Sequence, residues 1–160
     1  MREAGSPAAT PGSPAQPDLE REAGPARARL EVPEAATELL AIVRYITARD
    51  GPLQSTPDNA GHLSPWHERA LLKAMERLEV IDAYLRGRVA FFVAGKDHGY
   101  GPFDEELELA GAALDNCRAA TSVVEALIAG RLPTTWEFEL MADTALRIYP
   151  ALDAIEVREH

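Results

Sequence analysis

Three carboxylates, four histidines and one glycine-rich segment are the groups in this 160-residue chain whose types and spacing bear on chemistry. Glu76, Glu79 and Asp82 read E-x-x-E-x-x-D, and carboxylates that share a helix face can hold a divalent cation or move protons. At about 100° per residue, however, Glu76 and Glu79 point to the polar side of their helix, whereas Asp82 falls only about 20° from Leu71 in the apolar stripe. A carboxylate facing a core must be ion-paired, hydrogen-bonded or protonated. Arg118, at the edge of the next helix's stripe, is expected to answer it, as a structural pair rather than a catalytic one.

The histidines are His62, His67, His98 and His160. None stands in His-x-x-x-His, Glu-x-x-His or His-Glu-x-x-His spacing, the patterns that put metal ligands on one helical face, so no metal is expected. The segment GKDHGYG holds Lys96, Asp97, His98 and Tyr100, any of which could act as an acid or base from a loop. It is neither a phosphate-binding loop of the G-x-x-x-x-G-K-[ST] type nor a dinucleotide fingerprint, so no cofactor is expected. The single cysteine, Cys117, excludes an internal disulfide and reads as a small core hydrophobe.

The elements that position these groups follow from apolar periodicity. Residues 1 to 32 are rich in Pro, Ala, Gly and Ser and are expected to form a disordered tail ahead of a helical domain over 33 to 160. Four helices are predicted. The first runs from about Pro33 to Arg49 on Ala36, Leu39, Leu40, Val43 and Ile46. A polar loop follows over 50 to 65. The second helix opens with Ser64 as N-cap and Pro65 at the first position, then carries Leu71, Met75, Leu78, Ile81, Leu85, Val89 and Phe92 as far as Gly95. Residues 95 to 103, with three glycines and a proline, read as a loop. The third helix is expected from Asp104 to Gly130 on Leu107, Ala110, Leu114, Cys117, Thr121, Val124 and Ile128. The fourth starts at Thr134 or Thr135 on Phe138, Met141, Ala145, Ile148, Leu152 and Ile155, with Pro150 kinking or dividing it. Phe91, Tyr84 and Leu109 fall outside these stripes as spare apolar residues. No stretch alternates with period two between hairpin signals, so the fold class is all-α: a four-helix bundle, up-down-up-down by its short connections.

That topology gathers His62, Trp66, His67, Arg131 and Trp136 at one end, where they could line a small pocket, and leaves His98 about 45 Å away along the second helix. A first-turn tryptophan reads first as a lid over the core.

The formal charge of -10 excludes general attraction to a phosphate backbone or an anionic membrane. Residues 34 to 160 carry 21 acidic and 12 basic side chains, so the acidity belongs to the helical part. The N-terminus lacks a signal-peptide core, and cytoplasmic residence is expected. These observations rank three readings. The first is a non-enzymatic adaptor or regulatory protein acting through a protein partner or as a homodimer. The second is a small-molecule-binding protein or enzyme with a pocket at the helix ends or in the bundle core. In the third, E-x-x-E-x-x-D resembles the magnesium-binding helices of all-α nucleotide hydrolases.

Overall fold

The computed structural model describes residues 30–55, 63–99 and 104–159. The expectation for the tail falls on residues 1–29, outside the described residues, apart from its last three positions. Among the described residues five helices follow in order: α1 (Val32–Thr47), α2 (Pro52–Ser55), α3 (Pro65–Asp97), α4 (Asp104–Ile128) and α5 (Thr135–Glu159). Among the described residues there is no strand.

Each boundary has a local cause. The α1 chain turns at Gly51, whose N–H donates to the Ala48 carbonyl; a Cβ there would collide with the Tyr45 carbonyl, so only glycine fits. The single turn of α2 is a correction to the expected polar loop: Pro52 supplies the pre-set φ of a first helical position and is itself buried. At the start of α3 the Ser64 hydroxyl accepts the His67 N–H at 3.1 Å. The far end of α3 is the second correction, because the helix runs on through Lys96 and Asp97 instead of stopping at Gly95. The residue that ends it is Gly99, at φ +76 in the left-handed region, with its N–H bonded to the Lys96 carbonyl.

Gly130, at φ +84, closes α4 in a Schellman arrangement: its N–H bonds the Leu127 carbonyl and the Arg131 N–H bonds that of Ala126. Thr134 and Glu137 then form a reciprocal capping box on α5, with Glu137 N–H to Thr134 Oγ1 at 3.0 Å and Thr134 N–H to Glu137 Oε1 at 2.8 Å. Pro150 does not divide α5. It is exposed, so water can take the carbonyl that its missing N–H leaves free.

Contacts across the helices give the directions. Glu38 with Arg77 and Tyr45 with His67 run α1 against α3; Asp82 with Arg118 and Lys96 with Asp104 run α3 against α4; Asp115 with Arg147 and Asn116 with Thr144 run α4 against α5. The bundle is up-down-up-down. It is not a symmetric square, however: α4 packs along both α3 and α5 and also meets α1, while α3 and α5 hardly touch.

This central position explains the burial pattern. Thirteen residues of α4 are buried, among them Leu109, Asn116, Ala119, Val123 and Ala126, well beyond the single stripe expected. Leu109 is a correction: it is fully buried, not spare. Met75, Val89, Leu107, Phe138 and Leu152, expected in the core, are half-buried at its margins. No described helix is long and apolar enough to cross a membrane.

Candidate functional site

The outward strip of α4 is narrow, because three helices cover the rest of its circumference. Asp115, Arg118 and Ser122 lie on that strip. With Ala119 they floor a groove of about 350 Å³ whose other wall is Trp136, Glu137, Leu140, Thr144 and Arg147 of α5. Trp136 is 70% exposed and Leu140 38% exposed at its rim. The charged groups around it hold one another in place. Arg147 Nη1 meets Asp115 Oδ2 at 3.1 Å, and Arg131 grips both oxygens of Glu137 at 3.1 and 3.2 Å. Arg118 Nε stands 3.7 Å from Asp82 Oδ1, and Arg86 Nε binds the other oxygen at 2.8 Å.

The Asp82 to Arg118 pair therefore forms, but not inside the core. The buried line of α3 passes through Leu71, Leu78, Ile81 and Leu85, leaving Asp82 at the partly exposed seam with α4. There it lines a second recess of about 230 Å³ with Leu78, Glu79, Arg118 and Thr121. Glu76 and Glu79 are exposed. Among the described residues, no group of three or more His, Cys, Asp or Glu side chains could hold a metal ion. Burial, chiefly, pushes the Cys117 thiol up to about 12, with the Asp82 charge adding to it, and Sγ donates to the Leu78 carbonyl at 3.3 Å. The thiol is a packing group and not a thiolate nucleophile at neutral pH.

The set expected at one helix end is split in two. His67 is buried and shares a 2.8 Å hydrogen bond through Nδ1 with the Tyr45 hydroxyl, and the Trp66 ring packs edge-on at 5.0 Å. Burial holds the Tyr45 phenol above its ordinary range, with Asp50 adding to the effect, so the hydroxyl stays protonated at neutral pH. This cluster joins α1 to α3. Trp136 belongs instead to the α4–α5 groove, and among the described residues no ring contact links the two tryptophans. The separation has one cause: α4 stands between α3 and α5. Trp136 is also no lid, since most of its surface meets water. His62 lies outside the described residues.

At the other end of the molecule, Lys96 Nζ bridges Asp104 at 3.1 Å, and His98 Nδ1 shares a 2.8 Å bond with the Ala94 carbonyl. The first contact ties the end of α3 to the start of α4, and the second caps α3. Asp97 is exposed, and Tyr100 lies outside the described residues.

No protein-family model, curated protein or solved structure matches this chain. The geometry alone must carry the functional reading.

The residues that periodicity did not single out are Asp115, Leu140, Arg147, Asn116 and Thr144. Asn116 is buried between α4 and α5, where its amide donates to the Met141 carbonyl and to Thr144 Oγ1, each at 3.0 Å. The available signal was an asparagine and a threonine beside apolar positions of successive helices. Only the α4–α5 register shows that they meet.

The Arg131 to Glu137 fork makes a titration prediction. Arg131, chiefly, and then the Thr134 backbone N–H hold the Glu137 carboxyl down at about 2, against an ordinary value of 4.5. A depressed carboxylate contributes stability that is present above pH 4.5 and lost as pH falls through about 2. In Arg131→Ala the Glu137 carbon resonance should titrate well above its wild-type midpoint, by NMR. An unchanged midpoint would show that the fork does not form in solution.

Proposed function

We propose that this chain is a non-enzymatic cytoplasmic adaptor that docks a protein across the α4–α5 groove. One observation carries this reading: Trp136 stands 70% exposed beside Leu140 at the rim of a concave groove. A large aromatic side chain left in water forgoes a substantial burial gain, and tryptophan and arginine dominate the residues that supply binding energy at protein interfaces. Arg147 in the groove wall and Arg131 beside it support the same reading. Arg131 and Arg147 are already held by Glu137 and Asp115, so less side-chain freedom is lost when a partner arrives.

The test is a benzophenone amino acid placed at Leu140 in one variant and at Val80, exposed on α3, in another. Irradiation in cell extract should give a protein adduct at Leu140 and none at Val80. The absence of an adduct at Leu140 would count decisively against the reading. A second reading draws on the groove volume, about 350 Å³, which falls in the range of small-molecule sites. A dose-dependent thermal shift with a metabolite, abolished in Trp136→Ala, would favour it.

A further inference from the structure

The outer face of α5 carries a second helical row besides the one that faces the core. Trp136, Leu140, Asp143, Arg147, Pro150 and Ala154 follow one another at alternating four- and three-residue steps, the spacing of a helix-pairing seam. All six are exposed. The row spans about 27 Å at 1.5 Å per residue.

Its composition is complementary to its own reverse. Trp136 and Ala154 are equally distant from Ala145, as are Leu140 and Pro150, and as are Asp143 and Arg147. Laid antiparallel against a second α5 about a two-fold axis level with the core-facing Ala145, the row sets the large ring against a methyl group. It sets leucine against the proline ring, and acid against base, twice each. A parallel pairing would instead set Asp143 against Asp143 and Trp136 against Trp136. Among the described residues Asp143 has no ion-pair partner of its own, although α5 belongs to a chain of charge -10. Arg147, bound to Asp115 along the groove, has other N–H groups to offer.

We infer that the occupant of this face is a second copy of the chain, docked through antiparallel α5 helices with Asp143 of each copy bonded to Arg147 of the other. This rests on the reading of the α4–α5 face as a docking surface and names its partner. The contact is isologous, so it closes at two copies. The paired charges also offset, at the contact itself, the repulsion between two acidic chains.

The experiment is light scattering after size-exclusion chromatography of the full chain and of charge variants. The wild type should run at twice the 17.4 kDa chain mass. D143R and R147D should each dissociate, with the dimer constant weakened by roughly tenfold or more as like charges meet twice. Mixed in equal amounts, the two single variants should re-form a dimer, because each then supplies what the other lacks. The double variant D143R/R147D should dimerise alone. Far-ultraviolet circular dichroism of each single variant establishes that it is folded, and the mixing step recovers the dimer only if both are. A wild type that is monomeric at every concentration would overturn the inference, as would a dimer indifferent to D143R or single variants that mixing does not rescue. A monomer whose Leu140 photoprobe still captures a different protein would overturn the dimer and leave the adaptor reading standing. A monomer with no adduct would overturn both.

Discussion

Leu109→Ala should lower the free energy of unfolding by about 2–5 kcal/mol, the range for truncating a fully buried leucine. Leu109 has no exposed surface and sits on the helix that every other long helix packs against. Its neighbours on α4 are largely alanines, among them Ala110, Ala112 and Ala113, which have no side-chain length with which to refill the space. The void should therefore persist. Urea unfolding of the wild type and the variant measures the difference; a loss under about 0.5 kcal/mol, the value for an exposed position, would mean that Leu109 is the peripheral residue its phase in the sequence suggests.

Asn116→Asp, which barely changes the side chain's shape, should cost about 3–5 kcal/mol near neutral pH. In the native chain the side-chain amide is a donor to two acceptors, the Met141 carbonyl and Thr144 Oγ1. The Thr144 hydroxyl already donates its own proton to the Leu140 carbonyl at 2.6 Å. A carboxylate at 116 would thus face two oxygens with no proton between them, in a site without solvent contact. Burial raises the pKa of such a group above its unfolded value of about 3.9. The variant therefore retains most stability below that value and loses it as pH rises through the folded pKa. Its deficit should narrow on acidification.

Asn116→Leu is the informative contrast. It removes the two donated bonds but also the Asn116 Oδ1 atom, which is buried without a hydrogen-bond partner among the described residues. Replacing a polar group by an apolar one of similar size costs far less than stranding a charge. Unfolding curves over a pH series for both variants decide the matter. Equal losses at neutral pH would show that the position is limited by shape and not by hydrogen bonding.

The helices were legible because each carries its own period and punctuation. Ser64 with Pro65, Thr134, and Gly130 are local signals, satisfied by atoms within a few residues, and they stand where the sequence placed them. The end of α3 was misread because Gly95 and Gly99 are equally glycine in sequence, and only the backbone conformation shows which of them adopts positive φ. The candidate site was legible in part. Arg118 and Trp136 were singled out for different reasons, as a partner for Asp82 and as part of a helix-end pocket, yet they share one groove with Asp115, Leu140 and Arg147. Trp66 and His67, grouped with Trp136 by their common end of the bundle, belong to another face.

What the sequence determined by itself is the all-helical class, the number of long helices and their alternating directions, since periodicity, caps and short connections act over one helix or one turn. What only the tertiary structure decided is which helix stands in the middle. Placing α4 there buries Leu109 and Asn116, parts Trp66 from Trp136 and opens the α4–α5 groove. A helical stripe records that a face is apolar, but not how many neighbours will cover it. That number is set by the packing of all the helices at once, and no local signal carries it.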